Sequence, residues 1–137
     1  VFINGSKNIS IEKKILEKNE KIKFFYTTIK AQNIDEFKNK NVVAFAGIGN
    51  PQKFFDTLKE NNINVLKEIK YPDHHKYSNK ELENLIQEKK RNNAILITTE
   101  KDYLRIKENI KKHISYLKIK IEIQNQDALI EEIKKII

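Results

Sequence analysis

Asp73-His74-His75, introduced by Pro72, is the stretch of this sequence best equipped for proton chemistry. An imidazole titrates near neutrality, and a carboxylate beside it can orient the ring and raise its basicity, as general-base catalysis requires. His and Asp are also competent metal ligands, so a metal site is a second reading of the same residues. Adjacent side chains in a loop diverge, which leaves one of the two histidines to face a cleft. His113 lies in a lysine-rich segment and is expected in solvent.

Two further segments carry unusual residues. Gly47-Ile48-Gly49-Asn50-Pro51 reads either as a tight turn with Asn50 capping a helix, or as bare backbone N–H groups facing an anion or sugar hydroxyls. No Gly-Lys-Ser/Thr follows, so it is not a Walker phosphate loop. Thr99 and Asp102 have capping-box spacing, and Glu100, Lys101 and Asp102 form a dense charge group.

Hydrophobic patterning supplies the elements that must position these segments. Val1–Ile3 is strand-like and ends at the turn dipeptide Asn4-Gly5. Ser10–Asn19 reads as a short helix, Ile22–Ile29 as a strand, and Val42–Ala46 as a strand buried on both faces. Pro51–Asn61 is helical, with Pro51 at its first position and Phe54, Phe55 and Leu58 turned inward. Val65–Tyr71 is a strand, and the capping box of Ser78 and Glu81 opens a helix through Leu82, Leu85 and Ile86. Ala94–Thr98 is a strand, Thr99–Lys107 a helix, Ile114–Ile123 a longer strand, and Asp127–Ile137 an amphipathic helix.

Alternating strands and helices predict an α/β fold, Rossmann-like, with helices on both faces of a mostly parallel sheet. In such a sheet every strand-to-helix loop leaves the same edge, where ligands bind. The glycine segment, the Asp-His-His segment and the Thr99–Asp102 segment each follow a strand. They are therefore expected to meet in space.

Composition narrows the function classes. A chain of 137 residues is of one-domain size, roughly 100–200 residues, and no linker or repeat divides it, so residues 1–137 are expected to form a single domain. No apolar run approaches the ~20 residues that span a bilayer. Cysteine is absent, which removes disulfides, thiolate zinc sites, iron–sulfur clusters and thiol nucleophiles. Methionine is absent too, and Val1 opens inside a strand-like run, so the chain is expected to be a piece of a longer protein. Of the 27 basic residues behind the net charge of +8, only Arg91 and Arg105 are arginine. The lysines are scattered and no aromatic ladder accompanies them, so nucleic acid is not the expected partner.

Taken in order, Val43-Ala44-Phe45-Ala46-Gly47-Ile48-Gly49-Asn50-Pro51-Gln52-Lys53-Phe54-Phe55, then Asp73-His74, then Thr99-Glu100-Lys101-Asp102, resemble the C-terminal half of the tetraacyldisaccharide 4'-kinases, the lipid A kinases of Gram-negative bacteria. Val1-Phe2-Ile3-Asn4-Gly5 is similar to the strand that precedes this half in the family. Tyr103-Leu104-Arg105 departs from the commoner Ala-Val-Lys, keeping a basic residue at the third position.

The resemblance implies an enzyme, related in fold to P-loop kinases, that moves the γ-phosphoryl group of ATP onto the 4'-hydroxyl of a tetraacyldisaccharide 1-phosphate, with Mg²⁺. It implies His74 and Asp73 as catalytic residues, the histidine pairing with an aspartate of the other half to take the hydroxyl proton. Gly47, Gly49, Asn50, Glu100, Lys101 and Asp102 are the expected substrate-binding positions, and no metal ligand is expected in this chain. The family's Walker lysine and its Asp-Asp-Gly-Phe-Gln motif are not in this sequence, so ATP and Mg²⁺ are expected to be held mainly by an N-terminal P-loop domain, and this chain alone is expected to be inactive. The implied partners are the lipid A disaccharide precursor, ATP and an anionic inner-membrane surface, at the cytoplasmic face of the bacterial inner membrane. Two rival readings are a metal-dependent phosphoesterase of the Asp-His-His type, for which Asp35 and Asp56 offer no D-x-D arrangement, and a non-catalytic anion-binding α/β module resting on the charge alone.

Overall fold

Short apolar runs and capped amphipathic segments alternate along the chain, and a computed structural model describes all of it, Val1–Ile137. The elements follow in the order β1 (Phe2–Asn4), α1 (Ile9–Leu16), β2 (Phe25–Ala31), a 3-10 turn (Ile34–Phe37), β3 (Asn41–Ala46), α2 (Pro51–Glu60), β4 (Asn64–Lys70), α3 (Asn79–Arg91), β5 (Ile95–Thr99), α4 (Glu100–Arg105), α5 (Glu108–Lys111), β6 (Ser115–Leu117), β7 (Ile119–Ile123) and α6 (Gln126–Lys134). They divide into two compact units, Ala31–Ile119 and a smaller one built from Val1–Lys30 with Lys120–Ile137.

The larger unit is the α/β layer structure that the alternation implied. Its sheet runs β4-β3-β5-β6 with every pair parallel. Strand β3 lies inside this order and carries no polar side chain from Val42 to Ala46, all fully buried. Successive residues point to opposite faces. Val42, Ala44 and Ala46 pack with Phe54, Phe55 and Leu58 of α2. Val43 and Phe45 pack on the other side with Leu82 and Leu85 of α3, and with Ile106 and Ile114. Pro51 at the first position and the Asn50 cap start α2, while a complete capping box of Ser78 and Glu81 starts α3.

The chain leaves β3 toward β4 on one side, then crosses back to place β5 on the other. Such a reversal marks the carboxyl ends of β3 and β5 as the place of the ligand crevice in open α/β sheets. The loops beginning at Gly47 and Thr99 flank it.

The smaller unit holds the sheet β1-β2-β7, with β1 and β2 parallel, and the helices α1 and α6. Asn8 caps α1 through its side chain. None of the fully buried apolar side chains belongs to this unit, and Phe2, Ile9, Ile121 and Ile133 are exposed.

Several element boundaries differ from the sequence expectation. The run Ile114–Ile123 is two strands in two sheets, not one. The Lys118 N–H donates to Asn33 Oδ1 at 2.8 Å and its carbonyl accepts from the Gln32 N–H at 2.8 Å, which takes that residue out of the ladder. The strand expected from Ile22 begins at Phe25 because Asn19 closes a turn, accepting from the N–H groups of Lys21 and Ile22. Helix α4 stops at Arg105, where Ile106 turns extended and drops into the core. The division into two units had no punctuation to reveal it, because the smaller one is assembled from both ends of the chain.

Candidate functional site

The three segments do meet at the carboxyl edge of the four-stranded sheet. Strand β4 stays bonded to β3 to its end, with the Tyr71 N–H donating to the Ala46 carbonyl at 2.9 Å. One residue on, the Gly47 carbonyl accepts from the His74 N–H at 3.1 Å. The Gly47 N–H donates to Asp102 Oδ2 at 3.0 Å. A single residue thus ties the loops after β3, β4 and β5 together.

Gly47 is glycine for lack of space, since its φ is not positive. A Cβ there would lie 2.9 Å from the Tyr77 hydroxyl, 3.1 Å from His75 Cβ and 3.2 Å from the Pro72 carbonyl. Gly49 is exposed, and a Cβ on it would make ordinary contact with Asp73 Oδ2 at 3.5 Å. Asn50 is exposed and caps α2, accepting from the Lys53 N–H at 3.3 Å. Its side-chain oxygen therefore serves the helix.

The adjacent histidines diverge, as loop geometry implied. His74 adopts a left-handed backbone with φ 58° and leaves 71% of its side chain exposed. Asp73 uses Oδ1 to accept from the His74 N–H at 2.9 Å, while its Oδ2 lies 3.7 Å from His74 Nε2. The imidazole is thus next to a carboxylate and open to an incoming group. His75 turns inward, stacks on Tyr71 with centroids 4.7 Å apart, and places Nε2 3.0 Å from Glu81 Oε1. Glu81 is held below the usual carboxylate range, first by the Ser78 N–H and hydroxyl and then by His75. His75 is a structural partner of the α3 cap.

Asp102 differs from the expectation that it faces substrate. Its side chain is completely buried and accepts from the Gly47 N–H, from the Thr99 hydroxyl at 2.7 Å and from the Tyr77 hydroxyl at 3.0 Å. A buried carboxylate needs such partners, and these consume it. Its work is to hold the loops. Glu100 and Lys101 are exposed on the first turn of α4 and remain free to meet a ligand. Tyr77 belongs to no motif that would mark it in the sequence. Burial, with Asp102 beside it, pushes its phenol above the ordinary tyrosine value. Arg105 follows Asp102 by three residues on a helix, the spacing of an ion pair, and the pair is observed at 3.3 Å.

No three of the chain's His, Asp and Glu side chains converge in a way that could hold a metal ion. Asp73, His74 and His75 fail as a ligand set because His75 is engaged with Glu81. Nor do the residues here fit a triphosphate cradle, since the glycine segment runs into Asn50-Pro51 and carries no lysine that could reach a phosphate as the Walker lysine does.

The family model described as tetraacyldisaccharide-1-P 4'-kinase matches residues 2–137. The tetraacyldisaccharide 4'-kinase of Pelagibacter ubique (strain HTCC1062) is 37% identical over 139 residues, covering 99% of this chain and 44% of that protein. The Rickettsia typhi protein of the same name (strain ATCC VR-144 / Wilmington) is 44% identical over 107 residues, covering 78% of this chain and 32% of its own length. Among solved structures, "apo" form LpxK from Aquifex aeolicus, crystallised in complex with ATP, shares the fold with a TM-score of 0.53 and 23% identity. That match covers 88% of this chain and 40% of the other. The chain spans less than half the length of each of these proteins.

Proposed function

The chain belongs to the tetraacyldisaccharide-1-P 4'-kinase family, and from that premise we propose that it is the C-terminal part of an enzyme that phosphorylates the 4'-hydroxyl of a tetraacyldisaccharide 1-phosphate in lipid A biosynthesis. The observation that carries this reading is the exposed Asp73-His74 pair, bonded through the His74 N–H to the glycine loop at the crevice edge. ATP donates the γ-phosphoryl group, and Mg²⁺ offsets its negative charge when bound. Both are assigned to the portion of the relatives' length that this chain does not span, because the residues here do not fit either group.

In this reading the chain's own contribution is to receive and activate the sugar. Phosphoryl transfer leaves a protein mainly positioning and electrostatic work. The 4'-hydroxyl approaches His74, whose imidazole accepts the proton as the oxygen bonds to the γ-phosphorus and the bond to the ADP oxygen breaks. Asp73 Oδ2 lies 3.7 Å from His74 Nε2, so its negative charge stands beside the ring that receives the proton. Gly49, Glu100 and Lys101 are exposed, and in this reading they meet the sugar. A substrate with acyl chains places the enzyme at a membrane surface, here the cytoplasmic face of the inner membrane. The +8 charge suits an anionic leaflet. A metal-dependent phosphoesterase is disfavoured by the engagement of His75 with Glu81.

The test is an assay of the full-length protein with ATP, Mg²⁺ and tetraacyldisaccharide 1-phosphate. His74→Asn keeps a residue that tolerates the left-handed backbone and removes the base. It should lower kcat by ~10²–10⁴ with the KM for ATP little changed. Wild-type turnover in that variant would overturn the assignment of the base.

A further inference from the structure

The Gly47 carbonyl accepts twice, from the His74 N–H at 3.1 Å and from Arg105 Nη1 at 3.2 Å. The same Nη1 lies 3.3 Å from Asp102 Oδ1, and Asp102 Oδ2 accepts from the Gly47 N–H. Arg105 and Asp102 therefore grip both polar groups of one residue. Gly47 has no side chain to lodge in the core, so hydrogen bonds must fix its backbone. His74 depends on that backbone in turn. A non-glycine residue at φ 58° costs free energy and persists where its surroundings hold it. Its N–H is held by Gly47 and Asp73.

We infer that Arg105 is a positioning residue for His74, acting through the Gly47 carbonyl. The inference rests on the proposed role of His74. The guanidinium sits mostly inside the protein, with 23% of its side chain exposed. Both contacts come from Nη1, and Nη2 is buried without a partner. The bidentate fork for which arginine is distinctive is thus unused here. A single cationic nitrogen of similar reach does the same work, so lysine should replace arginine at this position. Neutral residues should not.

The experiment is a double-mutant cycle in the full-length protein, assayed with ATP and tetraacyldisaccharide 1-phosphate. Arg105→Met should lower kcat by about tenfold or more, since small misplacements of a reacting group are costly. The KM of both substrates should stay within about twofold, a split expected when only transition-state interactions are lost. Arg105→Lys should restore most of the rate. In a His74→Asn background, Arg105→Met should cost less than about twofold, because a residue acting through another loses its effect when that one is gone. An equal loss in both backgrounds would overturn the inference, as would a failure of Arg105→Lys to rescue.

If Arg105→Met does not fold, Arg105→Gln keeps a donor, removes the charge and takes its place in the cycle. If the unmutated protein transfers no phosphate, the functional reading falls, and hydrogen exchange at the His74 amide decides the positioning claim. Faster exchange in Arg105→Met or Arg105→Gln supports it, and unchanged exchange ends it.

Discussion

The His74 N–H donates to the Gly47 carbonyl at 3.1 Å, joining the loop after β4 to the first residue beyond β3. Because Gly47 also bonds Asp102, the residue proposed to move a proton is built into the same hydrogen-bonded unit as the crevice floor. A change at any of the three should be felt at the others. The surrounding core makes this rigid, since β3 is covered on both faces by α2 and α3.

Gly47→Ala should destabilise the protein by about 1–3 kcal/mol, the usual cost of forcing a methyl into a packed interior. The methyl would meet the Tyr77 hydroxyl at 2.9 Å and the Pro72 carbonyl, a backbone atom with little freedom, at 3.2 Å. Gly49→Ala should change stability by less than about 0.5 kcal/mol, because that position is exposed and its nearest neighbour would lie 3.5 Å away. Denaturant midpoints of the two variants check the contrast. Equal losses would mean that packing is not what makes Gly47 a glycine.

The sequence carried the architecture well and the roles of individual residues less well. Val42–Ala46 is apolar throughout, five residues long and rich in β-favouring side chains, as a strand covered on both faces is. That one fact, with the helices between strands, puts the three loops at a common edge. Spacing could not tell which polar side chains face inward. Asp102 has the pattern of a helix cap, yet its burial depends on Gly47 and Tyr77 arriving from other loops. Loop geometry requires the two histidines to diverge, but the bond to Glu81 and the stacking on Tyr71 that draw His75 inward are not written in the local sequence. The break at Lys118 was likewise hidden, because Asn33, distant in sequence, draws that residue out of the strand.

His74→Asn and His74→Ala should lose activity alike, since neither retains an imidazole, but should differ in stability. The backbone at φ 58° is one that asparagine adopts more readily than alanine. The expected gap is about 1 kcal/mol in favour of Asn. It is read from denaturant unfolding of the two variants in parallel. Identical midpoints would mean that this backbone costs alanine nothing extra.

Tyr77 gives the protein an alkaline weakness. Burial, with Asp102 next to the hydroxyl, raises its ionisation above the ordinary value, with Arg105 opposing in part. A raised folded value means that the neutral phenol is favoured by the fold. Its contribution is complete below the ordinary tyrosine value of about 10 and drains away as pH climbs past it. Tyr77→Phe should therefore be less stable at neutral pH, through loss of the bond to Asp102, and should lose less stability than wild type on moving to pH ~11. Tyr71 is also raised by burial and keeps some alkaline sensitivity in the variant. Parallel losses in the two proteins would rule out Tyr77 as a source.

The acid limb belongs in part to the cap of α3. The Ser78 N–H and hydroxyl, followed by His75, hold Glu81 below the ordinary carboxylate value. A depressed folded value means that the carboxylate form is favoured by the fold. The contribution is complete above the ordinary value of about 4.3 and is lost as pH falls through the lower folded one. Ser78→Ala removes the hydroxyl that accepts from the Glu81 N–H and donates back to its carboxylate. The variant should unfold at lower denaturant near neutrality, and its midpoint should fall less than that of wild type as the solution is acidified. The two curves then draw together toward low pH. If they stay parallel, the cap stabilises α3 without any help from the charge on Glu81.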